Sequence, residues 1–296
     1  MGYSLDGRVA VVTGAGAGLG RAEALGLASE GAAVVVNDLP AALEQSDVVD
    51  AITAAGGRAV AVPGDIGDAD TASAIMSTAT EQLGSLDIVV NNAGVVRDKM
   101  LFNMTDDEWD VVIRVHLRGH FLLNRNAASH WRAASKAAGG PVYGRIINTS
   151  SEAGLLGPEG QANYGAAKAG ITALTLSASR ALQRYGVRAN AICPRARTAM
   201  TAAVFGDAPA DGVDPLDPEH VVRLVNYLAG PESDAVTGQV FVVYGPKVTL
   251  MAAPTVDEVF VADGDAWAAE DLSKTLTGHF ADRDPGRTFS ASALVN

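Results

Sequence analysis

Tyr164 and Lys168 are the two side chains of this sequence best suited to move a proton together. They stand four residues apart in ANYGAAKAG, and a helix over Ala162 to Ala169 brings them to one face, with the ammonium beside the phenol. A tyrosine ordinarily titrates near about 10. A neighbouring cation favours the phenolate and lowers that value toward the range in which a phenol works as general acid and base. Ser151, thirteen residues earlier, follows the apolar run Arg145 to Asn148, which reads as a buried strand ending in a loop. Its hydroxyl can then meet the same substrate oxygen as the tyrosine. A solvated helix face carries the Y-x-x-x-K spacing just as well, so the weight of the motif rests on the elements around it.

The first of those elements is a strand, a glycine turn and a helix. Arg8 to Thr13 reads as a buried strand, GAGAGLG at Gly14 to Gly20 as the turn, and an alanine- and leucine-rich helix runs on to about Glu30. Gly14, Gly18 and Gly20 let the backbone approach a pyrophosphate, and with Leu19 they open the helix whose N-terminus takes its charge. A second apolar run, Ala33 to Val36, ends in Asn37-Asp38. Asp38 lies eighteen residues after Gly20, close to the spacing of about 20 expected of the acid that binds an adenosine ribose diol. The alternative is that Asp38 only begins the turn before Pro40. A carboxylate here repels a 2′-phosphate, and Ala15 to Gly18 hold no arginine or lysine to attract one, so the predicted cofactor is NAD rather than NADP.

Strand and helix then alternate. A helix over about Ala41 to Ala55, a strand Ala59 to Val62 ending at Gly64-Asp65-Ile66, a helix Asp68 to Leu83 and a strand Leu86 to Val90 follow in turn. Strand ends collect ligands in a doubly wound sheet, which places Asp65 and Ile66 at the adenine and Asn92 and Gly94 of Asn91-Asn92-Ala93-Gly94 along the cofactor cleft. Thr105, with Glu108 three residues on, caps a long helix to about Ala134. His116 falls on its apolar side, where a core role is the ordinary expectation. A helix to about Tyr185, the strand Val187 to Cys193, the loop Pro194 to Pro215, a helix Pro218 to Ala229 and the strand Gln239 to Tyr244 complete the pattern. The long loop suits a substrate lid. The expected fold is α/β, a doubly wound parallel sheet of Rossmann type in three layers, with right-handed crossovers. Residues 1–245 form the predicted catalytic domain, and 246–296 an extension packed on it, with a helix around Ala266 to Leu276.

Composition narrows the function. The 296 residues are 48% hydrophobic, enough for a sizeable core. A net charge of −12 with no basic stripe argues against nucleic acid, and no apolar run is long enough to cross a bilayer. The expected partner is a small-molecule substrate. His116, His120, His130, His220 and His279 form no metal-ligand cluster, so no metal is expected. One cysteine, Cys193, and an N-terminus without signal-peptide or lipidation features point to a reducing cytoplasm.

Taken together, TGAGAGLG, Asp38, Asp65-Ile66, NNAG, Ser151, Tyr164 and Lys168 occur in the order and spacing of the short-chain dehydrogenase/reductase family, which the chain resembles from about Leu5 to Tyr244. That resemblance implies hydride transfer between NAD and a secondary alcohol or ketone. It makes Tyr164 the acid/base, gives Ser151 the substrate oxygen, and lets Lys168 bind the nicotinamide ribose while lowering the tyrosine's pKa. Thr198 would join the cofactor site, and a homodimer or homotetramer is implied.

Three features depart from the common family pattern: His116 stands where an asparagine is usual, Pro194-Arg195 replaces Pro-Gly, and Tyr244-Gly245-Pro246 replaces an Asp-Gly-Gly ending. RVHLRG, VVVND, VVRDK and GQANYGAAKAG look like the (3R)-hydroxyacyl-CoA dehydrogenase units of type 2 peroxisomal multifunctional enzymes, a branch also known for steroid alcohols. The resemblance makes His116 a fourth catalytic candidate, as part of a proton relay or as support for a helix kink. Arg195 and Arg197 are candidates to meet an anionic substrate, with solvated loop arginines the alternative. Other readings are a hydrophobic-alcohol dehydrogenase, a 3-oxoacyl-carrier-protein reductase, or a retired NAD-binding module.

Overall fold

Valine, isoleucine and alanine fill five runs whose residues are almost all buried: β1 (Val9–Thr13), β2 (Ala33–Asp38), β4 (Ile88–Asn91), β5 (Gly144–Thr149) and β6 (Val187–Pro194). Runs apolar on both faces belong inside a sheet covered on both sides. In the computed structural model, which describes residues 3–198, 201, 206–209, 211–284 and 287–291, they do so. With β3 (Ala59–Pro63), β7 (Val240–Tyr244) and β8 (Lys247–Leu250) they form a sheet of order β3-β2-β1-β4-β5-β6-β7-β8. Every pairing from β3 to β7 is parallel, and β8 alone runs antiparallel, against β7. The order reverses between β1 and β4, which opens a crevice at their carboxyl ends.

Alternate strand residues face two helical layers. Val12, Val36, Val90 and Ile192 pack with α1 (Gly18–Ser29), α3 (Val48–Ala54) and α9 (Glu219–Ala229). Val11, Val35, Val89 and Ile146 pack on the other side, with α4 (Ala69–Ser77) and α6 (Gly119–Ala138), whose Leu122, Leu123 and Trp131 are buried. Each large apolar side chain so buried contributes about 1.5–3 kcal/mol. One residue of α1 works against this: Glu23 is fully buried with both carboxyl oxygens unpartnered, and burial pushes its pKa up to about 8.

Several elements differ from the sequence expectation. The helix expected over Ala41 to Ala55 is two, α2 (Pro40–Glu44) and α3, because the Ser46 hydroxyl accepts the Val48 amide and starts a new turn. The helix opened by Thr105 has its capping box, with Glu108 N–H donating to Thr105 Oγ1 (3.2 Å) and Thr105 N–H to Glu108 Oε2 (3.0 Å). It is not regular, however: α5 (Asp106–Ile113) passes through a wide, π-type turn at Arg114–Arg118 before becoming α6. β8 was not legible at all. Gly245, at φ 54°, turns the chain so that Tyr244 faces Lys247, and the sheet gains a hairpin. Much of the expected lid, at 199, 200, 202–205 and 210, lies outside the described residues.

The chain divides into two units, Met1–Met251 and Ala252–Asn296. Within the second, α10 (Ala269–Ala281) replaces the expected Ala266 to Leu276 helix, and Arg283 and Arg287 pair with Asp257 at 2.7 and 2.5 Å.

Candidate active site

The glycine turn is built around close backbone approach. A Cβ on Gly20 would lie 2.2 Å from the Gly14 carbonyl oxygen, and one on Gly14 would lie 2.8 Å from Ala93 Cα. Gly14 and Gly18 also take φ of 65° and 54°, which side chains resist. The end of β4 is locked to this turn. Thr13 Oγ1 accepts the Asn92 and Ala93 amides (both 3.1 Å), and Asn92 Nδ2 donates to the Thr13 (3.1 Å) and Gly14 (3.3 Å) carbonyls. The first turn of α1 has no side-chain cap and no acid. At the end of β2, Asp38 Oδ2 accepts the Gly16 amide (2.9 Å) and Oδ1 that of Leu39 (2.8 Å), so the carboxylate is fixed against the turn. Asp65 accepts the Gly67 amide at 2.7 Å and pairs with Arg114, which also reaches Asp68 at 3.0 Å.

The loop after β5 and α8 (Ala162–Leu182) carry the candidate proton-moving groups, Ser151, Tyr164 and Lys168. They are strapped together: Ser150 Oγ donates to the Lys168 carbonyl (2.9 Å), and Lys168 Nζ donates to the Thr149 carbonyl (2.6 Å). A Cβ on Gly154, in the short α7 (Ala153–Leu156), would sit 2.5 Å from Ala169 N, so the loop after Ser151 lies directly on α8. Lys168 Nζ stands 5.3 Å from the centre of the Tyr164 ring. Lys168 is 2% exposed, and burial pushes its pKa down to about 7. Burial raises Tyr164, against a hydrogen bond with Ser151 that lowers it. The tyrosine therefore moves opposite to the lowering expected from its cation, because desolvation is the largest influence on it and the lysine is itself driven toward neutrality.

His116 sits in the wide turn and is buried, yet it is no ordinary core histidine. Its Nε2 lies 3.0 Å from Val95 N and 2.8 Å from Val95 O, and its ring meets Tyr164 edge to face. Burial, then the Lys168 charge, holds its pKa well below the usual value, so the imidazole is neutral. His120 Nδ1 donates to the His116 carbonyl at 2.8 Å, a carbonyl that also accepts the Gly119 amide.

All of these residues converge. Gly14, Gly18, Leu19, Gly20, Asp38, Asp65, Ile66, Asn92, Gly94, His116, Ser151, Tyr164, Lys168 and Thr198 line one cavity of about 490 Å³. The two loop arginines do not join them in waiting for an anion. Arg195 binds Glu152 through two bonds of 2.6 Å, and Arg197 binds Asp214 at 3.0 Å. Among the described residues no group of three or more His, Cys, Asp or Glu is placed to hold a metal, and no helix is long and apolar enough to cross a membrane.

Sequence reasoning missed Asn163. It is fully buried, and its Nδ2 donates to the Arg97 (3.0 Å) and Glu108 (2.9 Å) carbonyls, which fixes the start of α8 to the segment after β4. Nothing but its adjacency to Tyr164 could have pointed to it. Thr13 was read only as the end of a strand, although its hydroxyl is the clasp between β1 and β4.

The profile of the short chain dehydrogenase family matches residues 8–208. The chain belongs to that family. As such it is an oxidoreductase acting on CH–OH groups. It is 64% identical to the hydroxyacyl-CoA dehydrogenase ChsB1 of Mycobacterium tuberculosis, over 98% of this chain and 94% of that one. It is 41% identical to the peroxisomal multifunctional enzyme type 2 of Mus musculus, over 75% of this chain and 30% of the longer protein. A crystal structure of a short chain dehydrogenase from Mycobacterium avium superposes with a TM-score of 0.83 at 46% identity, covering 95% of this chain and 96% of that one.

Proposed function

We propose that the chain is an NAD-dependent dehydrogenase of 3-hydroxyacyl-CoA thioesters, of the 3R hand. The observation that carries the substrate class is its 64% identity, along nearly its whole length, to a relative named for hydroxyacyl-CoA. The residues present suit a dinucleotide. Gly14 and Gly20 let the turn close on its own backbone and on the end of β4, the uncapped start of α1 offers N–H groups to a pyrophosphate, and Asp38, held against that turn, would take the ribose diol. The Asp38 carboxylate favours NAD over NADP by repelling a 2′-phosphate. When bound, the oxidised nicotinamide accepts the hydride and brings a positive charge to the cavity.

The chain's own residues manage the proton. Ser151 Oγ, already an acceptor for the Ala153 amide at 3.1 Å, orients the substrate oxygen. Tyr164 takes the hydroxyl proton as the alcohol is oxidised and returns it when a ketone is reduced. Lys168, pinned through Thr149 and driven by burial toward neutrality, holds its amine beside the phenol ring, and neutral His116 meets that ring edge to face while bound to the Val95 backbone. Two or four copies would cover the exposed Trp109 and Phe121 of α5 and α6, and a cytoplasmic site suits the free, buried Cys193.

Purified protein should reduce NAD when given a (3R)-3-hydroxyacyl-CoA, far faster than with NADP or with the 3S isomer. Turnover of sterols but of no thioester would overturn the substrate assignment and favour the hydrophobic-alcohol reading. Loss of all turnover with NAD binding intact would favour a retired cofactor-binding module.

A further inference from the structure

Two cations line the cavity among its described residues, Lys168 and Arg97, and the proposed proton chemistry uses only the first. The lining acids, Asp38 at the end of β2 and Asp65 after β3, belong to strands on one side of the β1–β4 boundary, whereas Arg97 follows β4 on the other. Val95, Val111 and Val115 line the same cavity as Arg97 and the candidate catalytic groups.

Arg97 is held in place from its backbone. Its carbonyl accepts Asn163 Nδ2 at 3.0 Å, one residue from Tyr164, and two residues on Lys99 N–H donates to the Gly160 carbonyl at 2.8 Å. Its guanidinium reaches only the neighbouring Val96 carbonyl, at 2.7 Å, and makes no ion pair among the described residues. The other arginines around the site are committed: Arg195 to Glu152, Arg197 to Asp214, Arg114 to Asp65 and Asp68, and Arg21 to Asp47. Nearby Glu108 is taken up by the Thr105 cap and by Lys99 at 3.9 Å.

We propose that Arg97 is the residue that recognises the substrate's anionic end, binding a phosphate of coenzyme A while the pantetheine arm that joins it to the reacting carbon lies along Val95, Val111 and Val115. The inference rests on the thioester reading above. A guanidinium matches a phosphate through paired N–H donors. In a chain of net charge −12, an unpaired cation at the cavity mouth also decides where a multiply charged anion can approach.

The test compares kcat/KM for one 3-hydroxyacyl group carried on coenzyme A and on N-acetylcysteamine, which has no phosphate, using the full-length protein and its Arg97→Ala and Arg97→Lys variants. In Arg97→Ala the preference for the coenzyme A thioester should fall about tenfold, mostly through KM, and its dependence on salt should flatten. Arg97→Lys should recover most of the preference. Equal loss on both thioesters, or no loss on either, overturns the role of Arg97 while leaving the thioester assignment standing. If the unaltered protein oxidises neither thioester, both readings fall.

Discussion

The ring of His116 meets that of Tyr164 edge to face, with centroids 5.2 Å apart and planes at 85°. The same imidazole bridges to the Val95 backbone, so a single side chain ties the catalytic helix to the loop after β4. Replacing it with leucine removes the hydrogen bond that Nε2 makes to the half-buried Val95 backbone, at a cost of about 0.5–1.5 kcal/mol. His116→Leu should therefore lower the urea midpoint and slow turnover, whereas His116→Asn, which can still hydrogen-bond, should lose less of both.

Gly94 reports on the same contact. A Cβ there would lie 2.4 Å from His116 Cε1, so Gly94→Ala must displace the ring. The Gly94→Ala change should cost clearly less in a His116→Ala background, with a coupling on the order of 0.5–3 kcal/mol in a double-mutant cycle followed by urea unfolding. Simple additivity would mean that the two residues do not press on one another.

Tyr164→Phe removes the hydroxyl and keeps the ring that His116 supports. Turnover should drop by roughly 10²–10⁴-fold, the usual worth of a positioned acid/base, with NAD affinity little changed in fluorescence titration. Retained turnover would remove Tyr164 from the mechanism.

Asp38→Ala takes away both the charge proposed to meet the ribose and the acceptor for the Gly16 and Leu39 amides. The ratio of kcat/KM for NAD to that for NADP should shrink at least tenfold, and KM for NAD should rise. A ratio unchanged from the parent protein would show that cofactor choice lies elsewhere.

Two buried groups give stability opposite slopes with pH. Glu23 in the folded chain titrates near about 8, above its ordinary 4.5, so the folded state holds the extra proton between those values. Stability should fall as pH rises through that window. Lys168 titrates near about 7, below its ordinary 10.5, so there the unfolded chain binds more protons, and stability should rise with pH. Thermal melts from pH 5 to 10 should show the falling limb flatten in Glu23→Gln and the rising limb flatten in Lys168→Met.

What could be read from the sequence was whatever follows from local pattern. The strand, glycine turn and helix at Val9–Ser29, the acid at Asp38 and the Thr105 capping box each depend on neighbours within a turn or two. The wide turn around His116 was legible only as the helix kink that the family resemblance implied, because its cause is tertiary: the RVHLR segment is held by Arg114 to Asp65 and Asp68 and by Arg118 to Gly67 O, contacts about fifty residues distant. Arg195 and Arg197 were candidate anion sites for the same reason, since their partners Glu152 and Asp214 are visible only once the loops are folded. The direction of the Tyr164 shift also needed the fold, because spacing shows the cation but not the burial.

The order of the sheet bears on how the chain comes off the ribosome. β6, an eight-residue strand buried along most of its length, pairs with β5, already made, and with β7, which begins only at Val240. Until that segment emerges, β6 presents a bare apolar edge of the kind that recruits other nascent chains. β7 arrives with its own partner, because the β7–β8 hairpin closes through Gly245 in microseconds, long before distant strands can meet. A message truncated before Val240 should therefore yield aggregates rather than a soluble cofactor-binding fragment.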